Sequence, residues 1–149
     1  MDETHEIPAS GSDTWSVAEG FDGEMPILIR FRPGLAAFAG DARYPKRLTA
    51  VWSYATNDSG QPDDATLDAL ESFEDRLEAA LDPDRLAVLT FTRTGQGERH
   101  LHYYLSDEAQ VSERINGALE PGLPVDFRLE EDPEWRVFRG LLRACGADL

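Results

Sequence analysis

At 149 residues the chain has room for one well-buried core and little room for two. Its 29 acidic side chains against 14 basic ones leave a formal net charge of -15, a field that repels nucleic-acid phosphates and anionic lipid headgroups alike. Composition therefore argues against nucleic acid and membrane surfaces as partners and favours a basic protein partner, whose encounter it would speed.

Lys46 is the single lysine among those 14 basic residues; arginine dominates the rest, and with abundant Ala, Asp and Gly this is the usage expected of a GC-rich bacterial genome. The lone cysteine, Cys145, cannot form an internal disulfide, and residues 1–10 have neither the basic region nor the apolar run of a leader. No stretch approaches the roughly 18 apolar residues of a membrane span. A bacterial cytoplasmic protein is expected.

Residues 1–13 are polar and acidic without periodicity and read as a disordered tail, followed by a single domain over 14–149. Two strands are expected at 15–19 and 26–32, joined through Gly20-Phe21-Asp22-Gly23. In the second, Ile27, Ile29 and Phe31 share one face, and Arg30 and Arg32 the other. Leu35-Ala36-Ala37-Phe38 suits a short helical turn. The strand 46–54 carries Leu48, Ala50, Trp52 and Tyr54 on one face and Thr49, Val51 and Ser53 on the other, largely uncharged on both, as a central strand requires. A loop follows at 57–62, and Asp63 or Asp64 caps a helix to about Leu81, with Leu67, Leu70, Phe73, Leu77 and Leu81 at helical spacing and Pro83 beyond its end.

Strands at 86–94 and 98–105 flank Gly95-Gln96-Gly97, a strong hairpin signal. Ser106 or Asp107 caps a second helix bearing Val111, Ile115 and Leu119, closed by Pro121-Gly122. Val125, Phe127 and Leu129 alternate with Asp126, Arg128 and Glu130, the pattern of a half-buried strand. Asp132-Pro133-Glu134-Trp135 then reads as a helix start: a cap, a first-position proline, and a carboxylate at the positive end of the dipole. The helix it opens carries Trp135, Phe138, Leu142 and Cys145 on one face. From Lys46 onward the order strand, helix, strand, strand, helix, strand predicts an α+β fold. It is the ferredoxin-like (split βαβ) arrangement, an antiparallel sheet with both helices on one face. An N-terminal β-hairpin, extending the sheet or covering its other face, precedes it, and a C-terminal helix follows.

Trp15 opening the first strand, Tyr44-Pro45 before the central one, Phe73-Glu74-Asp75, Gly97-Glu98-Arg99 leading to Tyr103-Tyr104, and Asp132-Pro133-Glu134-Trp135 occur in an order and spacing that resembles bacterial domain-of-unknown-function family 695. The resemblance runs from about residue 14 to the end. It implies no catalytic residues, since the family has no established activity. Some relatives in that family are joined to a domain similar to the protein inhibitor of ribonuclease E, which implies regulatory binding; 149 residues leave no room for such a second domain.

Chemistry is sparse. His100 and His102 share a strand face with Tyr104, but a zinc site needs further ligands, and Cys145 and His5 are poorly placed to supply them. Trp52 and Tyr54 with His100, His102 and Tyr104 would form an aromatic binding platform if their faces coincide, of the kind that stacks bases in RNA-recognition domains. The acidic field opposes RNA, which leaves a peptide or a small apolar ligand; the plainer alternative is that a hairpin or terminal helix covers these rings as core. The carboxylates Glu71, Glu74 and Asp75 read as a solvated helix flank, and Glu130, Glu131, Asp132 and Glu134 as helix-start electrostatics. Arg93 and Arg99 flank a turn too short to cradle phosphate. The expected protein is a non-catalytic protein-binding or regulatory module without cofactor or metal. One alternative is a small enzyme with its site near His100, His102 and Arg99, and another a structural subunit dimerising through a sheet edge.

Overall fold

Two tight turns set the geometry of the sheet. In the computed structural model, which describes residues 7–8, 13–54, 62–119 and 121–146, Asp22 pairs with Met25 and Gly95 with Glu98, so each hairpin turns on two residues. Gln96 and Gly97 both have positive φ, 55° and 82°, as the mirror-type turns that match strand twist require. A Cβ on Gly95 would stand 2.9 Å from the Pro26 carbonyl oxygen, so this tip closes directly onto the neighbouring hairpin.

The strands are β1 (Ser16–Asp22), β2 (Met25–Phe31), β3 (Lys46–Ser53), β4 (Ala87–Gly95), β5 (Glu98–Leu105) and β6 (Val125–Glu131). They form one antiparallel sheet in the order β1-β2-β4-β5-β3-β6. The N-terminal hairpin thus extends the sheet, through pairing of Leu28–Phe31 with β4. Its first strand runs three residues further than expected, because the turn is Gly23-Glu24 and leaves Gly20 and Phe21 inside the ladder. The helices are α1 (Asp64–Leu81), α2 (Glu108–Ala118) and α3 (Arg136–Ala144), with a 3-10 turn at Pro33–Phe38 where the sequence signals one. Asp63 caps α1 through the Thr66 amide and Asp107 caps α2 through the Gln110 amide. The loop expected at 57–62 falls, but for Pro62, outside the described residues.

Alternation along β3 sorts the core into two layers. Leu48, Ala50 and Trp52 meet the α1 stripe Leu70, Phe73, Leu77 and Leu81 and the α2 residues Val111 and Ile115, with Leu101, Tyr103 and Leu105 beneath. On the other face, Phe31, Val88, Phe91 and Tyr104 pack against Leu35, Tyr44, Trp135, Phe138 and Leu142. Ile7 joins this second layer, only 2% exposed, although it lies in the stretch expected to be a disordered tail. The Arg85 Nε donates to the Ile7 carbonyl oxygen at 2.7 Å, and Arg32 reaches both Pro8 and Asp13. Residues 1–6 and 9–12 of that stretch lie outside the described set.

Arg32, one residue past the end of its strand at Phe31, shares the Trp15 ring with Arg30 but is fully buried where Arg30 is exposed. Each nitrogen of the Arg32 guanidinium has a partner, Nε donating to Asp13 at 2.9 Å, Nη1 to the Leu89 carbonyl at 2.7 Å, and Nη2 to the Pro8 carbonyl, which is the condition for burying a charge. The last helix starts at Arg136, not at Pro133. Asp132 to Trp135 forms a separate turn, closed by the Trp135 amide on the Asp132 carbonyl oxygen at 3.0 Å, and Trp135 takes left-handed φ and ψ of 56° and 44°. Asp132 still caps, one turn removed, accepting from the amides of Arg136 at 2.8 Å and Val137 at 3.2 Å. No helix among the described residues is long and apolar enough to cross a membrane.

A candidate binding groove beside the first helix

The expected platform does not assemble, because the sheet separates its members. Trp52 faces α1 and packs on Phe73 at 4.8 Å between ring centroids; Tyr54 follows at the margin of the same layer. His100, His102 and Tyr104 point to the opposite face, since strand residues of even and odd number diverge and Trp52 stands across from Arg99 in the ladder. Tyr104 is covered by α3: its ring stacks on Trp135 at 4.2 Å and its hydroxyl donates to Asp132 at 2.6 Å. Trp135 in turn donates its indole N–H to the Tyr44 carbonyl oxygen at 2.9 Å. His102 stacks flat on Phe91, 4.0 Å away, with Nδ1 3.4 Å from the Thr49 hydroxyl. Burial above all, then the neighbouring Arg47, His100 and Arg93, lowers its pKa to about 3, so it is neutral across the physiological range. His100 sits nearer solvent, with Nε2 2.9 Å from Glu98.

Arg99 lies on the other side of the sheet from both histidines. Its guanidinium bonds Thr94 at 2.8 Å and Glu74 of α1 at 2.7 Å. The convergence of His100, His102 and Arg99 that a small enzyme would need is therefore not formed. Among the described residues no group of three or more His, Cys, Asp or Glu side chains could hold a metal ion. The carboxylates near the last helix are engaged locally. Glu130 lies 3.3 Å from Arg47 and Glu134 2.8 Å from Arg136; Asp132 links Tyr104, the α3 amides and, at 3.6 Å, Arg47. Burial raises the pKa of Asp132, but the bonds from Tyr104, Arg136 and Val137 together with Arg47 outweigh it and leave the carboxyl below its ordinary value.

A different feature is built as a site. Along α1, Glu71, Glu74, Asp75 and Glu78 recur at steps of three and four, one residue or two beyond Leu70, Phe73 and Leu77 of the buried stripe, so the acidic ridge flanks the helix face that packs on the sheet. The helix lies over β3, β4 and β5; the hairpin β1–β2 projects past it. Between ridge and hairpin is a groove of about 430 Å³, lined by the four carboxylates and by Trp15, Arg30, Leu89 and Thr92. The Arg30 guanidinium sits over the Trp15 ring, 5.0 Å from its centroid. Arg99 reaches up from the sheet to hold Glu74 in place.

Beyond the groove the same face of the hairpin carries Val17 and Phe21, 62% and 74% exposed, with Glu19 between them. These are the most exposed of the large hydrophobic side chains among the described residues, and β1 is an open edge. Glu71, Glu74 and Asp75, expected from the sequence as a solvated flank, face Trp15 and Arg30 across the groove, and the exposed alternation Val17-x-Glu19-x-Phe21 runs past the expected strand end at Glu19.

A family model for a family of unknown function (DUF695) matches residues 13–142. No curated protein and no solved structure matches the chain. The match covers both hairpins, α1 and α2, the last strand and nearly all of α3, and the chain belongs to this family.

Proposed function

We propose that this protein is a non-catalytic recognition module of the bacterial cytoplasm that takes a basic segment of a partner protein into the groove between α1 and the β1–β2 hairpin. The observation that carries the reading is the lining itself: four carboxylates on one wall, an aromatic and an arginine on the other, and uncovered Val17 and Phe21 alongside. A cationic chain would pair with Glu71 and Asp75 while its apolar side chains cover the hairpin, and the net charge of -15 would steer the approach. The lone cysteine fits a reducing compartment. The strand order β6-β3-β5-β4, with α1 and α2 on one face, supports a ferredoxin-like reading of the chain from Lys46 onward, with the recognition hairpin added at its free edge.

Calorimetric titration of the full chain with an arginine-rich extended peptide tests this. Binding should appear at low salt, weaken as salt screens the ridge, and fall about tenfold or more in Glu71→Lys/Asp75→Lys, whose positions are exposed and outside the core. No binding at low salt, or equal affinity for the variant, would overturn the reading.

A further inference from the structure

The opposite edge of the sheet is built for a different occupant. β6 pairs with β3 in unbroken register from Val125 opposite Trp52 to Glu131 opposite Lys46, and no other strand meets its outer side among the described residues. The Ser53 amide donates to Pro124 and the Asp132 amide donates to Pro45, both at 2.9 Å, which fixes the even-numbered residues of this strand as the ones whose backbone groups face β3. The backbone groups of Val125, Phe127, Leu129 and Glu131 therefore face outward, with the Val125 amide already engaged by the Leu123 carbonyl oxygen at 2.8 Å.

We propose that the chain forms a homodimer by antiparallel pairing of β6 with β6 of a second copy, in register about Phe127. In this register Phe127 exchanges backbone bonds with the partner's Phe127, and the Leu129 amide donates to the partner's Val125, using outward-facing groups throughout. Each side-chain match is favourable: Val125 lies opposite the partner's Leu129, and Asp126 opposite the partner's Arg128, twice by symmetry. Centring on Arg128 would set arginine against arginine and Asp126 against Glu130. Centring on Leu129 would oppose Phe127 to Glu131 and Asp126 to Asp132. Edge β1 has no equivalent, because its charged residues, Glu19 and Asp22, are all acidic.

The apolar surface follows the same line. Two grooves of about 270 and 320 Å³ run between α2 and β6, share Ile115, Asn116 and Phe127, and take in Val125 and Leu129. The proposed pairing brings this strip against its copy across the two-fold and covers Leu129, which is 38% exposed in the single chain.

Arg128 and Asp126 make only an exposed contact of 3.8 Å with each other, so reversing their charges leaves the fold alone. Sedimentation equilibrium on the full chain should give a doubled mass, with a dissociation constant raised roughly tenfold by Arg128→Asp and returned toward that of the natural chain by Asp126→Arg/Arg128→Asp, which inverts both members of each pair. Circular dichroism shows whether each variant is folded; a misfolded Arg128→Asp passes the test to Asp126→Arg, which should weaken the dimer equally. A single-chain mass up to millimolar concentration would overturn the proposal, as would a dimer indifferent to the single reversals or not restored by the double one. Moderate salt should strengthen this dimer by screening two chains of charge -15, the reverse of its effect on a basic ligand, so the two readings stand or fall separately.

Discussion

The two faces of the sheet are buried by different chemistry. Under α1 and α2 the layer is aliphatic and aromatic apart from the Arg99 link to Thr94 and Glu74, with Leu70, Leu77, Leu81, Leu101 and Leu105 fully enclosed. Under α3 the layer includes a run of polar groups: Trp135 bonded to the Tyr44 carbonyl, Tyr104 to Asp132, Asp132 to the α3 amides, Arg47 to Thr49 at 2.8 Å with its Nε 3.6 Å from Asp132 and without a hydrogen bond, and Thr49 beside His102. The difference teaches how one strand pair supports two kinds of core. A dry layer depends on volume and tolerates no cavity. A threaded layer depends on every group keeping its partner, and it also responds to pH.

Truncation gives the largest effects and should separate the faces by kind. Trp135→Ala removes a fully buried indole together with the partner of the Tyr44 carbonyl, and should cost about 3 to 5 kcal/mol in urea unfolding. Leu77→Ala, at the centre of the dry face, should cost about 2 to 5 kcal/mol through its cavity alone. Trp135→Phe divides the two contributions: if it matches the natural chain, the indole bond adds nothing, and the α3 face is no more polar in its energetics than the other.

Acid should sharpen the contrast. His102 has a folded pKa of about 3 against an ordinary 6.5, lowered by burial and by Arg47, His100 and Arg93. Above 6.5 the ring is neutral folded or unfolded, and the full stability is present. As pH falls below that value the unfolded chain takes up a proton that the folded chain refuses, and stability drops by roughly 1.4 kcal/mol per pH unit until about pH 3. Asp132, with its pKa lowered, adds a second loss only below the ordinary carboxylate range. The dry face is silent here, because Tyr103, pushed upward by burial, loses stability only on the alkaline side. Urea unfolding of the natural chain and His102→Gln between about pH 6 and 4 should give a flatter slope for the variant; parallel slopes would show that His102 is protonated in the folded protein.

Elements were more legible than faces. The helix stripes and caps at Asp63 and Asp107 and the Gly95-Gln96-Gly97 hairpin rest on local rules of spacing and turn chemistry, and they stand in the structure at or near their expected positions. The helix start at Asp132 was legible as to the capping residue but not as to the cap's span, because the left-handed turn at Trp135 is imposed by packing against Tyr104 and Tyr44. Trp52 and His102 could not be assigned to opposite faces until the register of β3 on β5 was known, and register is a property of two strands. The groove was illegible for the same reason. Its acidic wall is a local pattern, but Trp15 and Arg30 face it only because the hairpin joins the sheet at the β4 edge.

The smallest effects isolate the thread itself. Asp107→Ala removes an exposed cap bonded to a single amide at 3.0 Å and should cost about 1 kcal/mol. Asp132→Ala removes a buried cap and also strands the Tyr104 hydroxyl, so about 1 to 3 kcal/mol is expected. If the excess comes from the stranded hydroxyl, Tyr104→Phe in the Asp132→Ala background should recover part of it, because removing both partners leaves nothing unsatisfied between them. A double-mutant cycle by urea unfolding measures this coupling. A coupling near zero would mean that Asp132 acts on α3 alone, and that the α3 face, like the other, is held by packing with polar groups only passing through it.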